Sequence, residues 1–217
     1  MSLGFHFVFV HGWGNGPDFW DKTAAYFWDI PKTFIDLGFI KGSFDGLSDR
    51  SALSTGAKKV YVTHSLGTLW ALKNRHMEMS ALIAINGFYN FRVFSEEEAL
   101  LSMKQRLTKD PIPQMGVFWR RCGIHPENSL LDLERLQEGM NWLIHDNATK
   151  EIRNLGLPVL SLTAKDDPVL PIKIMRQHWS GYPLQIRELG GHSLPWSEPR
   201  WCSTKIMDFI DGLRLEK

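Results

Sequence analysis

The stretch Lys59-Val60-Tyr61-Val62-Thr63-His64-Ser65-Leu66-Gly67-Thr68-Leu69-Trp70-Ala71-Leu72 decides how the rest of the chain is read. Its β-branched and aromatic opening has the composition of a buried parallel strand, and it breaks at His64-Ser65 into a pattern suited to a packed helix. The expectation is strand, sharp turn, helix. A serine at such a turn has its hydroxyl thrust beyond the carboxyl edge of the sheet, beside the unpaired N–H groups of the helix's first turn. A turn that presents a nucleophile this way usually reads Gly-x-Ser-x-Gly. Here Thr63 stands at the first glycine position, which implies crowding between strand and helix, and Gly67 keeps the second. The plainer alternative for Ser65 is a helix N-cap.

Composition bounds the answer. The chain has 217 residues, 43% of them hydrophobic, enough for one domain with a sizeable core and a modest insertion. A net charge of +1, with both signs spread along the chain, lacks the footprint of a nucleic-acid or membrane-surface binder and suits an enzyme with a small or neutral substrate. Cys122 and Cys202 are far apart and in no metal-ligand spacing, which points to reduced thiols in a cytoplasmic protein. The segment Met1 to Val10 carries no basic region and no small-residue cleavage site, and no apolar run is long enough to span a bilayer. The expectation is a soluble, unexported chain without repeats or low-complexity tracts.

Upstream of the serine, Phe5 to Val10 is an apolar strand candidate ending in His11-Gly12-Trp13-Gly14-Asn15-Gly16-Pro17. Three glycines there require positive φ or close approach of backbone to something else. Neither a dinucleotide fingerprint nor a Gly-Lys-Ser/Thr ending is present, so a phosphate-binding loop is a weak reading. A helix is expected over Asp18 to Trp28, a short strand over Thr33 to Leu37, and a loop with a short helix through Gly56. Ala81 to Gly87 is another buried strand. Apolar strands alternating with helices predict a parallel sheet covered on both faces, with functional groups at the carboxyl ends of its strands.

From Phe88 to Asn147 the pattern changes to helix-period segments, Ser95 to Leu107 and Leu130 to Ile144, separated by Pro111-Ile112-Pro113 and Gly123-Ile124-His125-Pro126. Residues 88–147 are read as a helical cap inserted into a core formed by 1–87 and 148–217. More core helices are the alternative. In a cap, Met103, Met115, Phe118, Trp119, Met140 and Trp142 are candidates to line an apolar pocket. Core pattern resumes with a strand at Leu157 to Ala164 that ends in Lys165-Asp166-Asp167-Pro168. A short helix to Trp179, a strand at Leu184 to Leu189, the loop Gly190-Gly191-His192-Ser193 and a final amphipathic helix through Ile210 complete it.

Ser65, an aspartate and His192 thus each follow the carboxyl end of a strand, in the chain order Ser, Asp, His. A serine hydroxyl is a weak nucleophile at neutral pH, so an imidazole must take its proton during attack and hand it to the leaving group. A carboxylate must hold that imidazole's tautomer. Asp167 is preferred over Asp166 for its position relative to Pro171, although both stand at the strand end. Activity is expected to fall in acid, where a protonated His192 has no lone pair to offer. His11 is expected to hold its loop by side-chain hydrogen bonds, and His64 to be a packed residue of the turn.

These residues resemble the α/β-hydrolases, and within them the pimeloyl-ACP methyl ester carboxylesterases of biotin synthesis. His11-Gly12-Trp13-Gly14 resembles that group's oxyanion loop, Ser65-Leu66-Gly67 its nucleophile elbow, Leu133 to Leu143 the last helix of its cap, and Gly191-His192-Ser193-Leu194-Pro195-Trp196 its histidine loop. The resemblance implies an α/β-hydrolase fold and an acyl-serine mechanism that needs no metal or cofactor. By matching position, the oxyanion donors would be the N–H groups of Trp13 and Leu66. The implied reaction is hydrolysis of the methyl ester of pimeloyl carried on acyl carrier protein. Trp13, Phe118, Trp119, Arg120 and Arg121 are then candidate substrate contacts. Basic cap residues Lys104, Arg106, Lys109, Arg120 and Arg121 are candidates to dock the acidic carrier. A short-chain carboxylesterase, a thioesterase, or a ligand-binding member without catalysis stays open.

Overall fold

The structure, a computed structural model, describes residues 4–41, 56–124 and 130–215. The polar stretch before Gly56 and the turn around His125 therefore lie largely outside the described residues. Among the described residues six strands form one sheet: β1 Phe5–Val10, β2 Lys32–Ile35, β3 Lys58–His64, β4 Ala81–Ile85, β5 Val159–Ala164 and β6 Leu184–Arg187. Every pair is parallel, in the order β2-β1-β3-β4-β5-β6. Because β1 lies between β2 and β3, the chain winds outward in one direction after β1 and in the other after β3. The carboxyl ends of β1 and β3 flank the crevice this reversal opens, which is where open parallel sheets bind ligands.

Full burial of β1, β4 and β5 explains their nearly unbroken apolar sequences. Alternation still decides which face each side chain serves. Phe5, Phe7 and Phe9 of β1 join a cluster with Val60, Val62, Ile83 and Leu162, whereas Val8 and Val10 join the opposite one with Tyr61, Leu82 and Ala84. The first cluster is closed by Phe19, Trp20 and the buried face of α9, Pro199–Leu215. The second is closed by α2, Leu66–Arg75, and by three helices between β4 and β5: α3 Glu97–Lys109, α4 Pro111–Cys122 and α5 Leu133–His145. Leu100, Leu107, Met115, Leu136 and Met140 share that cluster with Leu66 and Leu69 of α2, so these helices pack as a continuation of the core on one face.

Three expectations need correction. The helix at Asp18 to Trp28 is a 3₁₀ turn (Pro17–Trp20), one α-helical turn α1 (Asp21–Ala24) and another 3₁₀ turn (Ala25–Phe27). A tighter wind, near three residues per turn, keeps Ala24 and Phe27 facing the same cluster. Pro111-Ile112-Pro113 opens a helix where a break was expected. Proline is suited to a helix's first turn, where the missing N–H would have had no partner. The last helix runs past Ile210 to Leu215 and is preceded by a separate turn, α8 Leu194–Ser197. Two shorter helices, α6 Thr149–Arg153 and α7 Ile172–His178, lie on either side of β5 in sequence. Among the described residues no helix is long and apolar enough to cross a membrane.

Candidate active site

Ser65 sits between β3 and α2 at φ 51°, ψ −124°, outside the regions side chains ordinarily adopt. Such a backbone costs on the order of 1–3 kcal/mol and persists only where its surroundings hold it. Here β4 and α2 hold it, with Ser65 N–H bonded to the Ile85 carbonyl at 3.2 Å and Thr68 N–H to the Ser65 carbonyl at 3.0 Å. Gly67 lets α2 lie directly against the end of β1, since a Cβ there would fall 2.5 Å from the His11 carbonyl oxygen. Thr63 is accommodated by a small residue elsewhere. Its hydroxyl lies 2.7 Å from that of Thr68 and donates to the Ile83 carbonyl, while a Cβ on Gly87, just past β4, would meet Thr68 Oγ1 at 2.1 Å.

Three sequence-distant side chains meet at this turn. His192 Nε2 lies 3.0 Å from Ser65 Oγ, and His192 Nδ1 lies 2.8 Å from Asp167 Oδ2. Asp167 Oδ1 accepts the N–H groups of Val169 and Leu170 at 2.7 and 3.0 Å, so both carboxylate oxygens are engaged. Asp166, its neighbour, turns the other way and accepts the N–H groups of Gly190 and Gly191 at 3.3 and 2.8 Å. It therefore ties the histidine loop to the end of β5.

Two residues grip that loop from beneath. Asn86, at φ 42°, donates from Nδ2 to the carbonyls of Gly191 and His192 at 2.8 and 2.7 Å, and its Oδ1 accepts Ala164 N–H at 3.0 Å. Asparagine tolerates this left-handed backbone better than most residues. In the sequence Asn86 shows only as an Asn-Gly pair closing a buried strand. His64 donates from Nε2 to the same His192 carbonyl at 3.0 Å, with its ring stacked on Phe19 at 4.5 Å. Burial, and then the neighbouring His192, hold the His64 imidazole well below the ordinary histidine range. It stays neutral beside the His192 ring.

The loop after β1 faces Ser65 across the crevice. His11 Nδ1 lies 3.0 Å from the Gly12 carbonyl, and His11 Nε2 lies 3.0 Å from Leu37 N–H and 3.2 Å from Asp36 Oδ1. The Gly12 carbonyl can only accept, so Nδ1–H donates to it, while Nε2 accepts Leu37 N–H. Across the planar trans peptide, Trp13 N–H then points the opposite way, away from His11. Leu66, as the first residue of α2, has an N–H with no partner inside its helix.

No protein-family model matches the sequence, and no curated protein does. Solved structures do match over nearly the whole chain. A lipase-esterase related protein from Clostridium acetobutylicum superposes with a TM-score of 0.73 at 15% identity, covering 96% of this chain and 95% of its own. A hydrolase from Oleispira antarctica gives 0.77 at 12% identity, covering 95% and 90%. An esterase from Exiguobacterium antarcticum gives 0.76 at 14% identity, covering 97% and 93%. The chain has the α/β-hydrolase fold.

Within this α/β-hydrolase fold, α3, α4 and α5 roof a cavity of about 240 Å³ whose floor holds Ser65, Leu66 and His192. Its walls are Trp13, Phe88, Phe91, Phe94, Leu100 and Leu143, and Arg106 and Arg121 stand in the lining as its cations. Met103, Phe118 and both arginines also line a second cleft, between α3 and α4. Of the expected substrate contacts, Trp13, Phe118 and Arg121 line the cavity. Trp119 and Arg120 are placed elsewhere. Trp119 donates from its indole N–H to the Gly14 carbonyl at 2.9 Å, and the exposed Arg120 lies back along its own helix over Gly116. Phe88, Phe91 and Phe94 were missed because they fall before the first recognisable helix of that region. Of the expected pocket residues, Met115 and Met140 are wholly buried in the core cluster.

Proposed function

We propose that the protein is a serine carboxylesterase working through an acyl-enzyme, and that its substrate is the methyl ester of a pimeloyl chain carried on acyl carrier protein. The observation that carries the first part is the unbroken contact Ser65 Oγ, His192 Nε2, His192 Nδ1, Asp167 Oδ2. Ser65 Oγ attacks the ester carbonyl as its proton passes to His192 Nε2, while Asp167 faces the imidazolium. The carbonyl oxygen gathers negative charge between the N–H groups of Trp13 and Leu66. His192 then gives its proton to the departing methoxide, releasing methanol. Water attacks the acyl-serine by the same route, freeing the carboxylic acid and restoring Ser65.

The cavity supports the second part. An apolar interior favours a hydrocarbon chain, and the cations Arg106 and Arg121 in its lining favour a substrate that carries acid. The test compares p-nitrophenyl acetate with the carrier-linked methyl ester. Fluorophosphonate labelling of Ser65 and turnover of both substrates are expected, with both lost in Ser65→Ala. Arg106→Glu with Arg121→Glu is expected to raise KM for the carrier-linked ester about 10-fold or more and to spare p-nitrophenyl acetate. Equal effects on both would assign a short-chain esterase instead. Neither labelling nor turnover would leave a binding protein.

A further inference from the structure

We infer that Trp119, a residue of α4 that contributes nothing to the cavity wall, is a positioning residue for the oxyanion loop, so that the roof helices set the donor geometry at Ser65. This rests on the esterase reading above. The loop is fixed at three successive residues, each by a different element. His11 holds the Gly12 carbonyl at 3.0 Å. The Trp13 indole N–H reaches the Leu136 carbonyl of α5 at 2.9 Å, and the Trp119 indole N–H reaches the Gly14 carbonyl at 2.9 Å. Two of the three anchors therefore come from the roof.

Packing says the same. Gly14 has φ +70°, and a Cβ on it would lie 2.5 Å from Met115 Cε, so α4 rests directly on the loop. Phe118, between Met115 and Trp119 on that helix, meets the Trp13 ring edge-on at 4.8 Å between centroids. On α5, a Cβ at Gly139 would lie 2.6 Å from Trp13 Cδ1. An oxyanion donor acts only if its N–H sits where the developing charge will be, and a displacement of an ångström already costs heavily in rate. Held from both sides, Trp13 N–H moves only if α4 and α5 move with it. These helices therefore form part of the catalytic framework.

The test is Trp119→Phe, which keeps an aromatic ring and removes the N–H. With p-nitrophenyl acetate, kcat is expected to fall about 10-fold with KM nearly unchanged. Affinity for a trifluoromethyl ketone, whose adduct with Ser65 bears an oxyanion, is expected to weaken in the same proportion, because only an interaction peculiar to the transition state moves both together. A merely structural role would lower the melting temperature and the active fraction, leaving kcat per titrated Ser65 and inhibitor affinity at wild-type values, and that result overturns the proposal. Should Trp119→Phe not fold, Trp119→Tyr, which also removes the indole N–H and fills more of its space, reads the same contact. A selective fall in kcat supports the inference, and wild-type kcat refutes it. If the wild-type protein neither turns over esters nor binds the ketone, it is the esterase reading that has failed.

Discussion

Asp166 and Asp167 show how much one residue of offset decides. Both follow β5, and both carboxylates are fully engaged, yet one faces an imidazole and the other two glycine N–H groups. Asp167→Asn would present His192 Nδ1 with an amide and favour the wrong tautomer, so kcat is expected to fall by about 10⁴-fold with folding intact. Asp166→Ala removes only a tether of the histidine loop, and a loss on the order of 10-fold is expected. Steady-state rates normalised to titrated Ser65 distinguish the two, and equal losses would count against the assignment. The sequence carried Ser65 and His192 plainly, since each follows its own strand and has no rival nearby. It left the aspartate open because neighbours in a turn point in directions that only the fold determines. Asn86 was not legible at all: its importance lies in which carbonyls come within its reach, and these belong to residues 105 and 106 positions away.

At the scale of elements, the turn at Ser65 shows a local rule met by a distant residue. The glycine usual at position 63 is absent, and the space its absence demands is found at Gly87, beyond the neighbouring strand, where Thr68 Oγ1 takes the place of a Cβ. Gly87→Ala is therefore expected to destabilise the protein by about 1–3 kcal/mol through overpacking. Thr68→Ala in the same chain should return part of that loss, which a double-mutant cycle in urea would register as a favourable coupling energy. Strict additivity would mean that Gly87 is not what makes room for the threonine pair. Helix α4 was hidden for a related reason. Prolines read as breakers from the sequence, and only their position at the start of the helix turns them into initiators. Strands were easier, because β1, β4 and β5 are buried on both faces and so are apolar almost throughout.

Across the whole molecule, the sheet's end beyond β4 is pinned to α7 by an aromatic knot. His178 stacks on Tyr89 at 3.6 Å and accepts Tyr89 N–H at 3.1 Å, while Trp179 donates to the Gly87 carbonyl at 3.0 Å. An imidazole that accepts a backbone N–H inside such a stack has no good place for a second proton. Burial lowers its pKa from the ordinary 6.5 to about 4. The unfolded chain therefore binds a proton at this residue between pH 6.5 and 4 that the folded chain refuses. Stability from this source is complete above the upper bound and declines as pH falls through the interval, by about 3 kcal/mol at its lower end. At pH 5 the loss is about 2 kcal/mol, or about 4–8 °C in melting temperature for a chain of this length. His64, held neutral under the histidine loop, adds in the same direction. His178→Gln keeps an acceptor for Tyr89 N–H and cannot titrate, so it is expected to be less stable than wild type at pH 7 and to lose less on acidification. Melting curves of both proteins at pH 7 and pH 5 provide the check. Parallel falls in the two would mean that the knot stays intact when His178 is protonated, and that acid acts on the fold elsewhere.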